Sequence, residues 1–375
     1  VPHFEKMLYD QAQLVTSYLE AYQLTGDDAF ADVARDLCDY VLADLTDPET
    51  GAFFSAEDAD SLIPHKKTEA RGESGSATKR EGAFYVWTHA ELRLLLGDDF
   101  PAFAELFGVT EAGNADDPHG ELTGTNILHR VQNLGDVART HGLTPEHLTT
   151  RIAQARETLL DARHLRPRPH RDDKILAAWN GMMIGALARA DAILDAPAYL
   201  VAARRAASFC RDTLWDASAR RLQRRYRDGE VAFDAYLGDY AHLAEGFIDL
   251  YEATFDLAWL DLAETIVDTM IARFADSHQG GFFTTSGDDP SVLLRLKDDY
   301  DGAEPSGNAT AALVVVRLAT LVGREDLRRH GEAAIRAATP RMIQHPQTLP
   351  RMLRAAALAA DPPIEIVLTG AHDDP

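Results

Sequence analysis

Residues 236–283, YLGDYAHLAEGFIDLYEATFDLAWLDLAETIVDTMIARFADSHQGGFF, decide the fold. Asp239, His242, Glu245, Asp249 and Glu252 recur at steps of three and four, so all five share one face of a helix. Leu243, Phe247, Ile248, Leu250, Tyr251 and Phe255 crowd the rest of that helix. A second helix spans about 259–274, and Gly280-Gly281-Phe282-Phe283 then reverses the chain. The unit is a helical hairpin closed by a glycine–aromatic turn.

The same order recurs along the chain. Residues 14–54 give helix, polar break, helix and the turn Gly51-Ala52-Phe53-Phe54. Residues 183–226 repeat it, with a break at 194–197 and a weaker turn at 221–226. Residues 311–344 make a fourth pair, broken at 323–326. The Gly, Asp and Pro of the breaks stop one helix and cap the next. Between the first and second copies, 61–171 reads as an irregular insert with a polar loop at 65–80 and a short strand at 84–87. Short helices at 90–96 and 102–107 and a long one at 146–163 give it a distorted fifth pair. A last helix spans 351–360.

Repeating hairpins build a solenoid or a closed ring. Polar stripes choose between them. His3, Lys6, Asp10, Gln13, Ser17 and Glu20 mark the first helix as the five residues from Asp239 mark its counterpart. Equivalent stripes on first helices are expected of an inner ring around a wet cavity, whereas one stripe alone would be a solvent-facing surface. The expected fold is therefore all-α: one toroid domain over 1–375, with short β-hairpin turns at one mouth.

Composition narrows the class. A net charge of −23 disfavours nucleic acid and anionic membrane as partners, since both need a basic face. Cys38 and Cys210 stand alone and read as reduced core thiols. No apolar run has the length of a membrane span and no signal peptide is visible, which points to a cytoplasmic protein. The chain opens on Val1 and closes on a strand-like run at 364–370, so it reads as a piece of a longer protein.

The polar clusters fall at the starts of first helices and on the glycine–aromatic turns. In a ring these share one mouth, lined with acids, amides and aromatics, a lining that suits sugar hydroxyls and ring faces. Hydrolysis needs two carboxylates of different pKa, and epimerisation needs a base beside a carbonyl. The candidates for catalysis are Asp239, His242, Asp173, Glu57, Asp58 and His3. Those for ligand binding are Glu5, Lys6, Trp179, Asn180, Tyr240, Asp301, Glu304, Asn308 and Trp87. Asp172, Asp239 and Glu304 also have a plain reading as helix caps, Trp179 as core, and His3 and His242 as hydrogen-bonded structural histidines. Asp58 to Ser61 falls short of a calcium loop, and no zinc spacing, phosphate loop or nucleophile elbow is present, so no metal or cofactor is expected.

PHFEKMLYD (2–10), AEDAD (56–60), FYVW (84–87), DDKILAAWNG (172–181), GDY (238–240) and DGAEPSGNA (301–309) carry a resemblance. In this order the motifs resemble the thioredoxin-domain-containing family that includes spermatogenesis-associated protein 20. The resemblance covers nearly the whole chain. It implies an (α/α)6 toroid of the six-hairpin glycosidase kind, similar to N-acylglucosamine 2-epimerase and here incomplete by one hairpin. It also implies an N-terminal thioredoxin-like domain that this stretch lacks, a partner for the toroid in the full-length protein. The family brings no assigned reaction. A carbohydrate-like ligand handled by an isomerase, epimerase or glycosidase-like site is the leading expectation; a non-catalytic toroid binding a ligand or protein for the redox domain is the alternative.

Overall fold

The computed structural model describes residues 3–63, 79–115, 120–290, 292–361 and 364. Most of the expected loop at 65–80 and of the strand-like run at 364–370 lies outside them. The chain divides into two compact units, a larger one from residues 7–55 and 173 onward and a smaller one from residues up to 6 and 56–172. Its helices, in order, are α1 (Leu8–Thr25), α2 (Asp28–Tyr40), α3 (His89–Leu96), α4 (Phe100–Leu106), α5 (Leu134–Thr140), α6 (Pro145–His164), α7 (Ala177–Leu194), α8 (Pro197–Phe209), α9 (Leu237–Thr254), α10 (Leu257–Phe274), α11 (Gly307–Val322), α12 (Glu325–Gln344) and α13 (Pro350–Ala360).

In the larger unit α1/α2, α7/α8, α9/α10 and α11/α12 are the four hairpins read from the sequence. Their first helices pack in series, α1 on α7, α7 on α9, α9 on α11, and α11 on α13. The Tyr9 and Trp179 rings meet edge to face at 4.9 Å, and Gly307 lies against Gly238, so first turns stand beside first turns. The inner helices are therefore parallel and begin at one end. Among the described residues, α1, α7, α9, α11 and α13 fill five of the six inner positions of an (α/α)6 toroid, with α2, α8, α10 and α12 outside. One continuous core runs through all four hairpins.

The α7–α9 seam is the tightest. A methyl group built at Gly246 would stand 2.3 Å from Gly181 O, and one at Gly181 would stand 2.4 Å from His242 O. Backbone meets backbone there, and only glycine permits it.

The turns that close the hairpins are built alike. Thr46 bridges Phe53, Trp215 pairs with Leu222, and Ala275 bridges Phe282, the same spacing each time. The residue two before the second partner is left-handed in all three: Gly51 (φ 76°), Arg220 (φ 48°) and Gly280 (φ 77°). Arginine takes that conformation at a cost, which is why the middle turn reads as weak in sequence. It continues into an antiparallel hairpin, Arg221–Arg227 against Glu230–Asp234, with Arg225 opposite Ala232.

In the smaller unit Trp87, Leu92, Phe103 and Leu159 form one core, and Leu106, Val137 and Leu148 another. Ala56–Glu57 pairs antiparallel with Arg171–Asp172, and Asp60–Leu62 with Lys79–Glu81. Residues 84–87, expected as a strand, form a turn after Gly82 (φ 70°), and only Trp87 makes a bridge, to Asn126. α1 packs directly on α7, so the ring of the larger unit is made without a pair from 56–172. No helix among the described residues is long and apolar enough to cross a membrane.

Three inner helices begin later than the starts expected near His3, Lys174 and Glu304, with α11 beginning at Gly307 after an extended Ser306 (φ −61°, ψ 143°). α1 begins at Leu8 and α7 at Ala177, because Met7 (φ −99°, ψ 139°) and Leu176 (φ −103°, ψ 133°) hold the preceding backbone extended. His3, Lys6 and Asp173 thus precede the helices whose stripes or starts they were expected to form.

Candidate functional site

The inner helices of the larger unit enclose a cavity of about 300 Å³. α1 contributes Gln13, Ser17 and Glu20, α7 contributes Arg189, α9 contributes His242, Glu245 and Asp249, and α13 contributes Arg351 and Arg354. Asp301, Gly302 and Pro305 reach it from the segment before α11. The stripes on α1 and α9 therefore do face inward, from Gln13 and His242 on.

His242 is 2% exposed. Its Nε2 lies 3.4 Å from Pro305 O. A carbonyl only accepts, so this contact is a hydrogen bond in the tautomer whose Nε2 carries the hydrogen and whose Nδ1 carries the lone pair. Nδ1 has no hydrogen-bond partner among the described residues. Burial pushes the imidazole pKa down to about 4, against the opposing pull of Glu245, so His242 is neutral near pH 7.

Glu245 sits one turn on. Burial pushes its carboxyl up, but the guanidinia of Arg351 and Arg317 more than offset this and hold it below the ordinary range. Asp249 accepts from Arg317 at 2.7 Å, yet burial keeps its carboxyl raised. Arg317 also meets Glu252 at 3.0 Å. Across the cavity Glu20 receives both Arg189, at 3.1 Å, and Arg354, at 3.3 Å. These arginines escaped the sequence reading. The available signal was a lone Arg inside an apolar helix, as in LVVVRLATLV (313–322) and GALARADAIL (185–194), opposite helices striped with acid.

At the helix starts the polar residues do other work. Asn180 Oδ1 accepts from Phe53 N at 2.8 Å, and its Nδ2 donates to Phe53 O and Leu176 O, both at 3.0 Å. Asn308 Oδ1 accepts from Phe282 N at 2.9 Å. The Tyr240 hydroxyl accepts from Leu222 N at 2.9 Å. α7, α9 and α11 thus each clamp the equivalent residue of the turn before it. Asp239, 1% exposed, accepts from Tyr236 N and from Arg224, both at 2.9 Å, as a first-turn cap. Burial raises its carboxyl pKa despite Arg224. Asp301 spends one oxygen on Ser306 N and the other on Arg351 N, each at 2.8 Å. Trp179 donates from Nε1 to Glu304 at 2.6 Å. Asp173 pairs with Arg227 at 2.7 Å.

The expectation that Tyr240 or Trp87 offers a ring face to a ligand is corrected. Tyr240 is packed against Trp215 and Phe274, and Trp87, in the smaller unit, lies under Arg166 at 3.8 Å. Both are core. The other candidates of that unit are placed as follows. Glu57 is buried and accepts from the Tyr85 hydroxyl at 2.7 Å. Asp58 accepts from Asp60 N, and Lys6 Nζ lies 3.5 Å from the Tyr85 ring centroid. His3, 71% exposed at its side chain, contacts Glu81 and Glu5.

Among the described residues no three His, Cys, Asp or Glu side chains come together in a way that could hold a metal ion. Burial pushes the Cys38 and Cys210 thiols up to about 12, far from reactive thiolates.

No protein-family model matches the chain. It is 38% identical over 392 residues to spermatogenesis-associated protein 20 of Homo sapiens and 36% identical to that of Rattus norvegicus. It is 33% identical over 370 residues to the uncharacterized protein B0495.5 of Caenorhabditis elegans. The first two matches cover 99% of this chain and 48% of each relative; the third covers 94% and 49%. The chain spans about half the length of the curated relatives it matches. Among solved structures, the cellobiose 2-epimerase of Spirochaeta thermophila DSM 6192 aligns with a TM-score of 0.54 at 9% identity, over 93% of this chain and 63% of that one. A sugar epimerase from a ruminal bacterium aligns at 0.50 and 11%, over 89% and 60%. At such identity the likeness is one of fold, that of the toroid described above. The chain is thus similar over 99% of its length to about half of spermatogenesis-associated protein 20, and its fold is an (α/α)6 toroid like that of the sugar epimerases.

Proposed function

We propose that the central cavity binds a sugar and that the site is of isomerase or epimerase type, with His242 as the base. The observation that carries this is one neutral, buried imidazole whose Nε2–H tautomer is favoured by Pro305 O and whose lone-pair nitrogen is unpartnered among the described residues. That nitrogen is covered in this structure, so a ligand must displace its neighbours before it can take the proton from the carbon beside the carbonyl of an open-chain sugar. The low-pKa Glu245 would stabilise the imidazolium formed, and Arg351 and Arg354 would stabilise the enediolate oxygen. Returning the proton to the other face or to the neighbouring carbon gives epimer or isomer. A glycosidase route is less well supported, because Glu245 and Asp249 are both committed to arginines.

The test is to incubate the protein with aldoses and 2-ketoses in deuterium oxide and follow by NMR the loss of the proton beside the carbonyl, at C2 of the aldoses and C1 of the ketoses. Exchange that disappears in His242→Gln supports the reading. Sugar binding without exchange would favour instead a non-catalytic toroid that holds a ligand, or a protein partner such as the thioredoxin-like domain implied by the family. The paired state of the cavity acids supports that second reading.

A further inference from the structure

Residues 302–305, Gly-Ala-Glu-Pro, form a tab across the helix-start end of the cavity. Its two ends are pinned together. Asp301 Oδ1 accepts from Ser306 N at 2.8 Å, its Oδ2 accepts from Arg351 N at 2.8 Å, and Asp301 N donates to Thr348 O at 2.9 Å. Inside the tab Gly302 N donates to Glu304 O at 3.1 Å. Its middle rests on three inner helices through one bond each. Gln13 of α1 donates to Ala303 O at 2.8 Å, Trp179 of α7 donates to Glu304 at 2.6 Å, and His242 of α9 donates to Pro305 O. Gly302, Ala303 and Glu304 are exposed on the outer side, while Asp301, Gly302 and Pro305 line the cavity.

Toward the other end Glu20 with Arg189 and Arg354, and Glu245 with Arg351 and Arg317, make a charged layer. A further space of about 530 Å³ lies on the far side, sharing Arg189, Glu245, Asp249 and Arg354 as walls. The room between tab and charged layer, about 300 Å³, is at the low end of the roughly 300–1,000 Å³ usual for small-molecule sites.

We propose that residues 302–305 select ligand size, confining the cavity to a single sugar unit by roofing the end through which a second unit would extend. This rests on the sugar reading above. The roof is also tied to the chemistry, since Pro305 O favours the Nε2–H tautomer of His242, so a ligand that lifts the tab releases the base from its working form. Trp179 reports the state of the tab, because Trp87, Trp215 and Trp259 are buried whereas Trp179 is half-buried with its indole N–H on Glu304.

The experiment compares the wild-type chain with Gln13→Ala/Glu304→Ala, which removes two mid-tab bonds and leaves the Asp301 pins in place. Calorimetric titration with glucose, mannose, cellobiose and mannobiose is read beside tryptophan emission and a melting curve. The wild type is expected to bind monosaccharides at least about tenfold more tightly than disaccharides. The variant should show red-shifted emission and lose that preference by gaining disaccharide affinity. Equal binding of both sizes by the wild type would overturn the proposal. So would a variant with shifted emission and unchanged preference, or one whose emission does not shift. If the double variant melts too low to titrate, Glu304→Ala alone is read in the same way. Failure of both folded proteins to bind any sugar would instead reject the sugar reading on which the proposal rests.

Discussion

The first turn of each inner helix and the turn after it are both rich in polar side chains, but they do different work. In the first turns Asn180, Asp239, Tyr240 and Asn308 are turned to backbone, clamping the preceding hairpin's turn or capping their own helix. One turn deeper, Gln13, His242, Glu245 and Arg354 face a shared cavity and one another. A helix start exposes unsatisfied N–H groups and sits beside a turn with the same need, so polar groups there are claimed by architecture. Deeper in, the backbone is self-satisfied and a polar side chain is left for something else. Position along the helix, more than residue type, separates scaffold from site.

Four substitutions sharpen or break that contrast. The largest effect should come from Gly246→Ala, whose methyl would collide with Gly181 O at 2.3 Å and force α7 from α9. A loss of at least about 3 kcal/mol, or failure to fold, is expected in chemical denaturation. Wild-type stability would mean that the seam can relax.

Asn180→Ala comes next. It strips partners from Phe53 N, Phe53 O and Leu176 O, at a cost of about 2–4 kcal/mol. Any surviving variant should bind ligand normally, as a calorimetric titration will show. Weakened binding at unchanged melting temperature would place Asn180 in the site after all.

His242 should behave in the opposite way, with stability near that of wild type at pH 7 and chemistry lost. Its folded pKa, about 4, lies below the unfolded value of about 6.5. The neutral form is thus the folded one, and this contribution is intact above pH 6.5 and declines as pH falls toward 4. The loss amounts to roughly 2–3 kcal/mol. His242→Gln has no such proton to take up, so melting curves at pH 7 and pH 4 should diverge less for the variant. Identical pH slopes would show that the imidazole is not held neutral.

The smallest effect is expected from Asp239→Asn. The amide oxygen can still accept from Tyr236 N, while the charge facing Arg224 and the carboxylate oxygen facing the Ala178 backbone are given up, for about 1–2 kcal/mol. Sugar binding and C2 exchange should persist. Lost exchange at an unchanged melting temperature would restore Asp239 to the catalytic list.

Much of the architecture is legible in local pattern. Hairpins, breaks and glycine–aromatic turns recur because each copy solves the same problem of stopping a helix, reversing and packing back. The inward face of α9 is written in the spacing of His242, Glu245 and Asp249, and that of α1 in Gln13, Ser17 and Glu20. Periodicity names the face that differs from the rest, and in a ring that face looks inward.

Tertiary structure alone decided what each polar residue on those helices is for. Asn180 and His242 both stand near the start of a largely apolar inner helix, and sequence offers no means to tell a clamp from a base. Their partners, Phe53 and Pro305, come from other hairpins or loops far away in the chain. The arginines that neutralise Glu20, Glu245 and Asp249 likewise arrive from α7, α11 and α13. Hydrogen bonds and ion pairs act over a few ångströms between atoms whose separation in sequence carries no spacing rule. The sequence by itself determined which faces turn inward; only the packing of one hairpin on the next determined which of the inward groups remain available for chemistry.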